Sequence, residues 1–169
     1  MIIRKAESSD AAGIADIYNY YIKNTIITFE EKEVTQDEIS RRIEDVSSDS
    51  LPWIGAEKEK RIVGYAYASK WKTRSAYRFS LESTVYLEQN SVGSGTGSML
   101  YNELLSILKD TGTHVVLAVI ALPNPSSIAL HEKFGFRKAA HFNEVGIKFN
   151  KWIDVGYRQL LLHSKYHFK

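Results

Sequence analysis

The chain of 169 residues contains no cysteine. That excludes a disulfide framework, a zinc ribbon, a cysteine nucleophile and an acyl intermediate carried on sulfur. Proline is scarce, with three residues, and no Pro/Ser-rich linker or repeat divides the chain. Charge of one sign is lacking too: 22 Lys+Arg against 20 Asp+Glu leave +2, so no broad basic field awaits duplex nucleic acid. No apolar run nears the ~18 residues that would suggest a membrane span. Met1-Ile2-Ile3-Arg4-Lys5-Ala6-Glu7 lacks the apolar stretch and small-residue cleavage site of a secretion signal. The expectation is a cytoplasmic protein with neither nucleic acid nor membrane as partner. With 44% apolar and 25% charged residues the composition is that of an ordinary globular protein. A chain this long buries about two thirds of its unfolded surface, so it needs no metal staple. His163 and His167 are spaced i, i+4 without an accompanying Glu, so no metal is assigned. One domain over 1–162 with a basic tail at 163–169 is predicted.

What is present begins with glycine. Gly93, Gly95 and Gly97 place three of the ten glycines within five residues. Around them the pattern resolves into elements. Ile2 to Ala6 reads as a strand. A helix follows, capped by Ser9 or Asp10, with Ala11, Ile14, Ala15, Ile17, Tyr18 and Tyr21 at helical spacing. Thr25 to Thr28 reads as loop or extended. Thr35-Gln36-Asp37-Glu38 is a capping box opening a helix to about Val46. Trp53 to Glu57 and Arg61 to Ser69 form a hairpin across Glu59-Lys60, and Leu81 to Leu87 is a further strand. Ser98 to Lys109 is an amphipathic helix ending at Gly112. His114 to Ala121 is a buried strand and Ser126 to Phe134 a short helix stopped by Gly135. Phe136 onward and Val155 to Leu162 are the last strands. The order β-α-α-β-β-β-α-β-α-β-β predicts an α/β protein with a mixed sheet and helices on both faces.

Gly93-Ser94-Gly95-Thr96-Gly97-Ser98 lies between a strand and a helix. Glycine permits φ > 0 and close backbone approach, and amides at a helix N-terminus converge on an anion. The loop reads as a phosphate cradle, with a flexible turn as the plain alternative. A Walker loop is excluded because no lysine follows before Lys109. The spacing G-x-G-x-G is not the dinucleotide pattern, and no acid ends a second strand about 20 residues on. A pyrophosphate on a carrier such as coenzyme A remains.

Val85-Tyr86-Leu87, the glycine loop, its helix and Asn124…Ser127…Leu130-His131-Glu132-Lys133-Phe134-Gly135-Phe136 together resemble the GNAT N-acetyltransferase family. Arg74-x-x-Tyr77, Glu82-Ser83-Thr84-Val85-Tyr86 and Gly146-x-Lys148-x-x-x-Trp152-x-Asp154-Val155 narrow the likeness to phosphinothricin and methionine sulfoximine acetyltransferases. The resemblance spans roughly residues 1 to 162. It implies a mostly antiparallel twisted sheet with one splayed strand pair. It also implies acetyl-CoA as donor, the α-amine of a small amino acid as acceptor, direct transfer, herbicide resistance and a homodimer. One departure stands out: Val92 and Gly93 occupy positions where the family loop carries Gln/Arg and often a basic residue.

The resemblance assigns roles to particular residues. Glu82, in a strand otherwise apolar or hydroxylic, is the candidate general base; the alternative is a rim carboxylate paired with Arg74 or Arg78. The backbone of Val85, Tyr86 and Leu87 would hold pantetheine and polarise the acetyl carbonyl. Gly93 to Ser98 would cradle the pyrophosphate, with Lys133 restoring the missing charge. Asn124 caps its helix and reaches the pantetheine arm. His131 stands where many relatives carry a tyrosine that protonates the leaving thiolate; packing alone is the other reading. Arg74 offers a fork for a carboxylate or phosphinyl group, Lys72 and Tyr77 add donors, and Phe29 walls the pocket. A solvated basic loop is the alternative for Lys72 and Arg74. Trp71 and Trp152 are packing or dimer residues, and Gly146 to Asp154 lies near a subunit interface. Two other functions stay open: acetylation of a protein N-terminus or antibiotic amine, and an acyl-CoA sensor without turnover.

Overall fold

The computed structural model describes residues 1–162; the tail at 163–169, with His163 and His167, lies outside the described residues. The element order is the one the pattern predicts. In chain order the elements are β1 (Ile2–Lys5), α1 (Ala11–Asn24), α2 (Gln36–Ser48), β2 (Trp53–Lys58), β3 (Arg61–Lys70), β4 (Ser80–Leu87), α3 (Thr96–Asp110), β5 (Val115–Leu122), α4 (Pro125–Lys133), β6 (Arg137–Lys148) and β7 (Lys151–Leu161). The strands make one sheet in the order β1-β2-β3-β4-β5-β7-β6. All its pairings are antiparallel except β4 with β5.

Side-chain alternation sends opposite residues of β3 to opposite faces. Tyr65, with Trp53 of β2, packs under α1 and α2 beside Ile14, Ile17, Ile39 and Ile43. Ala66 and Ala68 pack under α3 with Leu100, Leu104 and Leu108. Small residues on that side let α3 lie close to the sheet. Val63 is passed over in the register, where Ala56 faces Gly64 and Glu57 faces Ile62. This bulge lets Val63 join the α3 side although it shares parity with Tyr65. Among the described residues no helix is long and apolar enough to cross a membrane.

Three local expectations are corrected. Asp10 does not cap α1 with its side chain; its carboxylate accepts from Arg4 at 2.7 and 2.8 Å and from the Glu7 amide at 2.9 Å. Thr35 does cap α2 by accepting from the Glu38 amide at 3.2 Å. Glu38 itself binds Arg42 at 2.8 Å instead of closing the box. The last strand begins at Lys151, four residues before the predicted Val155, because Phe149 and Asn150 adopt φ of 51° and 57° in a two-residue hairpin turn.

The feature that creates a site is where β4 and β5 part. Their parallel pairing covers only Ser80–Val115, Leu81–Val116 and Glu82–Leu117. Beyond Glu82, β4 continues along β3 to Leu87 and β5 continues along β7 to Leu122. The strands splay, and their facing edges open a slot through the sheet.

Candidate active site

A cavity of about 260 Å³ fills this slot. Because no strand closes β4 there, both faces of β4 reach it: Glu82 and Thr84 from one, Ser83 and Val85 from the other. The α1–α2 connection contributes Thr28 and Phe29, α3 contributes Tyr101, and α4 contributes His131 and its N-cap Asn124.

Burial pushes the Glu82 carboxyl above its ordinary range, with the nearby Lys72 charge pulling partly the other way. A carboxylate deprived of water binds a proton more tightly, which suits a base that must take a proton from an amine near neutral pH. Among the described residues Glu82 forms no salt bridge. Arg78, one suggested partner, donates to the Ser75 carbonyl at 3.2 Å and lies over the Phe79 ring.

The backbone of β4 explains what the slot offers as donors. The Glu88 amide turns toward β3 and donates to Val63 at 2.9 Å. The Leu87 carbonyl points the other way, where the Tyr21 hydroxyl donates to it at 2.7 Å. Successive residues alternate in this sense, so Val85 and Leu87 aim their amides at the gap. Tyr86, one residue out of phase and opposite Tyr65, contributes its side chain and not its amide.

The glycine loop has the geometry of an anion cradle. Gly93 and Gly95 have φ of 78° and 89°, and a Cβ on either would meet nothing within 4 Å. Conformation, not crowding, therefore selects glycine at both. The Ser94 hydroxyl donates to the Ser91 carbonyl at 2.7 Å and pairs with Thr96 Oγ1 at 2.8 Å, fixing the turn. Gly95 is the α3 N-cap with no side-chain cap. The first amides of α3, at Thr96, Gly97 and Ser98, are thus available to a ligand. A Cβ on Gly97 would stand at ordinary contact distance from Leu87 and Leu130, so the start of α3 lies beside β4 and α4. Lys133 Nζ donates to Ser98 Oγ at 2.9 Å, which places a cation at the mouth of the cradle. These features fit a coenzyme A pyrophosphate.

Asn124 caps α4: its Oδ1 accepts from the Ser127 amide at 3.1 Å while the residue borders the cavity. His131 is buried, and both ring nitrogens are engaged. Nδ1 lies 2.6 Å from the Ser127 carbonyl, which can only accept, so Nδ1 carries the proton. Nε2 lies 2.5 Å from the Tyr101 hydroxyl. Burial and the Arg158 charge hold the imidazole pKa down, so the ring is neutral and Tyr101 donates to it. The same hydroxyl pairs with Ser83 Oγ at 2.9 Å. His131 borders the slot, yet it has no uncommitted N–H, and its Nε2 is joined through Tyr101 to Ser83. Sequence reasoning missed both: Tyr101 reads as one more apolar position on α3, and only the demand of a buried phenol for a partner hints otherwise.

The acceptor candidates separate. Phe29 borders the cavity with Glu82. Lys72 and Tyr77 do not; they border a neighbouring groove of about 460 Å³ with Trp71, Phe142 and Tyr157. That groove adjoins Glu82, since Ser80 and Leu117, its neighbours along β4 and across the β4–β5 pairing, line it; burial and then the Glu82 charge raise the Tyr157 pKa. Arg74 is exposed just before the turn Ser75–Tyr77 and borders neither space. Trp71 packs edge-on against Tyr77 at 5.2 Å, and Trp152 is 62% exposed on β7.

Comparison with known proteins agrees with this geometry. Residues 3–156 match the model of the acetyltransferase (GNAT) domain. The chain is 39% identical over 157 residues to the phosphinothricin N-acetyltransferase of Streptomyces viridochromogenes, covering 93% of this chain and 85% of that one. It is 32% identical over 162 residues to the L-methionine sulfoximine/L-methionine sulfone acetyltransferase of Salmonella typhimurium, with 96% and 95% covered. Among solved structures, a GNAT phosphinothricin acetyltransferase of Sinorhizobium meliloti in complex with acetyl-CoA superposes with a TM-score of 0.92 at 33% identity, covering 95% and 88%. A ribosomal-protein-alanine N-acetyltransferase of Brucella melitensis superposes with a TM-score of 0.94 at 33% identity, covering 96% and 100%. The splayed strands, the uncapped glycine loop and the matched domain lead to one conclusion: the chain belongs to the GNAT acetyltransferase family.

Proposed function

We propose that this chain transfers the acetyl group of acetyl-CoA to the α-amine of a small amino acid of the phosphinothricin, methionine sulfoximine or methionine sulfone type. The observation that carries the reading is Glu82 at the point where β4 and β5 part, in one cavity with Tyr101, Asn124 and Phe29. The named relatives act on such acceptors.

The chain's own residues supply a direct transfer. Amides of α3 and Lys133 hold the pyrophosphate, and pantetheine runs along the free edge of β4. Glu82 takes a proton from the acceptor ammonium, leaving a neutral amine. The amine nitrogen attacks the thioester carbon, and the amides of Val85 and Leu87 meet the oxygen as it gains charge. The C–S bond breaks, coenzyme A leaves as thiolate beside the hydroxyls of Ser83 and Tyr101, and the second amine proton passes to its sulfur, giving the amide and the free thiol. His131 acts through Tyr101, accepting its hydrogen bond and fixing the direction of the phenol, rather than as a direct donor. Holding amine and thioester together supplies much of the acceleration, and no acetyl-enzyme is needed.

Lys72 and Tyr77 belong to the acceptor side in this reading, lining the groove beside Glu82, with Arg74 on the exposed stretch between them. The chain acts as a homodimer, supported by exposed Phe142, Val145, Ile147, Phe149 and Trp152 on the β6–β7 hairpin. The cytoplasm, where acetyl-CoA is available, is its compartment, and expression confers growth on phosphinothricin. A second reading, the α-amine of a protein N-terminus, is favoured by the likeness to the Brucella melitensis protein.

A thiol-release assay with acetyl-CoA decides between them. Phosphinothricin, methionine sulfoximine, methionine sulfone, the ordinary amino acids and an alanine-initiated peptide are compared. Turnover with a free amino acid far above that with the peptide supports the proposal; the reverse order overturns it.

A further inference from the structure

The connection from α1 to α2 has no regular hydrogen-bonded structure, yet it carries Phe29 to the cavity beside Glu82. The neighbouring residues show what holds it there. Thr28 Oγ1 bonds the Tyr18 hydroxyl at 2.8 Å. The Glu30 carboxylate accepts from Arg42 at 2.8 Å and 3.2 Å and from Tyr18 at 3.0 Å. Asn19 clasps Val34 through both backbone groups at 2.8 and 2.9 Å. All of these come from α1 and α2.

Two further contacts come from β6, on the far side of the sheet order. Lys148 is 2% exposed, and its ammonium donates to the Thr28 carbonyl at 2.7 Å. Burial presses its pKa down while Glu30 and Glu31 support the charge. A buried ammonium is costly, and this one grips the backbone of the residue just before Phe29. Gly146, two residues earlier on β6, lies under the ring itself. A Cβ there would stand 2.2, 2.5 and 2.9 Å from Phe29 Cε2, Cζ and Cδ2. Gly146 does not have the left-handed φ of Gly93 or Gly95, so the backbone alone does not call for glycine. The ring does: it lies directly on the bare strand.

We propose that Gly146 and Lys148 are positioning residues. Together they set where Phe29 stands and thereby how large an acceptor side chain is admitted beside Glu82. This rests on the acetyltransferase reading above. Gly146 fixes the depth of the ring and Lys148 fixes the backbone that carries it. Neither touches the reacting atoms.

A double-mutant cycle tests it. Gly146→Ala, Phe29→Ala and the double variant are compared by kcat/KM for alanine, methionine, methionine sulfoximine and phosphinothricin, and by the KM for acetyl-CoA. Gly146→Ala is expected to raise the acceptor KM on the order of tenfold for the larger acceptors, with the acetyl-CoA KM unmoved. In the Phe29→Ala background the same change is expected to have no further effect, because its only route is the ring. An equal effect in both backgrounds, or a matching rise in the acetyl-CoA KM, overturns the proposal. Lys148→Met, with Lys148→Arg as the conservative comparison, is followed by amide hydrogen exchange over residues 26–31. Faster exchange in Lys148→Met than in Lys148→Arg supports the grip on Thr28; unchanged exchange refutes it. The exchange readout needs no substrate. If the unaltered protein acetylates no amino acid, the functional reading falls while the positioning of the segment is still decided.

Discussion

Glu82→Gln keeps the shape of the side chain and removes its ability to take a proton. General base catalysis contributes about 10²–10⁴ in rate, which is about 3–5.5 kcal/mol of barrier at 1.36 kcal/mol per decade. Turnover with methionine sulfoximine at saturating acetyl-CoA should fall by that factor, while the acetyl-CoA KM, which the proposed function sets at the α3 amides and Lys133, stays in place. The pH profile carries a second signature. Burial raises the Glu82 pKa above its ordinary value of 4.5. Activity therefore rises with pH along an acid limb displaced upward from an ordinary carboxylate, and the glutamine variant loses that limb. Stability moves the opposite way. Between the ordinary and the raised pKa the native state binds more protons than the unfolded chain, so stability falls as pH rises through that window. Above that window the carboxylate is charged in a place short of water, and there Glu82→Gln should have an equal or higher Tm. Stopped assays by thiol release and a thermal scan at pH 7 give both results. Unchanged turnover with an unchanged acid limb would refute the role of Glu82.

Other perturbations address the remaining parts. Tyr101→Phe strips a fully buried hydroxyl from between Ser83 and His131; leaving those groups unsatisfied costs about 1–3 kcal/mol. The Tm should drop by roughly 2–12 °C together with kcat, and a thermal scan showing no change contradicts the hydrogen-bond chain. Gly95→Ala meets no neighbour but forces a side chain into the left-handed region, at about 1–2 kcal/mol. With Lys133→Ala it should raise the acetyl-CoA KM and leave the acceptor KM alone, and a rise in the acceptor KM instead would move the cradle elsewhere. Lys72→Met removes the charge that lowers the Glu82 pKa, so the acid limb of the pH profile should shift to higher pH; a fixed limb would mean that Lys72 does not act on Glu82.

The order of elements was legible because each carries its own local signal. The heptad-like spacing in α1 and α3, the glycines that end helices and the continuous apolar run of β5 are all short-range features. Glu82 was legible for a related reason, as the single carboxylate among apolar and hydroxylic neighbours on β4. Other features depend on what sits far away in the chain. The residue types of β4 do not mark where its partner departs; the burial alternation stops after Ser83 because β5 has left, which only the folded sheet shows. Ser83 and Tyr101 meet across 18 positions and Tyr101 and His131 across 30, and each reads locally as packing. Asp10 reads as a cap, yet Arg4 on β1 competes for it and wins with two hydrogen bonds. β6 was expected from Phe136 onward and is there, but it carries exposed residues over most of its length, so nothing local fixed how far it runs. Arg74 illustrates the opposite failing: its chemistry suits a carboxylate, but charge type alone does not say where a loop places it.

The central claim is a direct transfer, through the slot between β4 and β5, from acetyl-CoA to the amine of a free amino acid. Rapid-quench mixing of the protein and acetyl-CoA with methionine sulfoximine, followed by mass spectrometry of both protein and small molecules over a single turnover, tests it most directly. The account predicts N-acetylated methionine sulfoximine and free coenzyme A appearing together, with the protein never acetylated. An acetylated protein that forms and decays at the rate of product formation, or coenzyme A released without an acetylated amino acid, would contradict it.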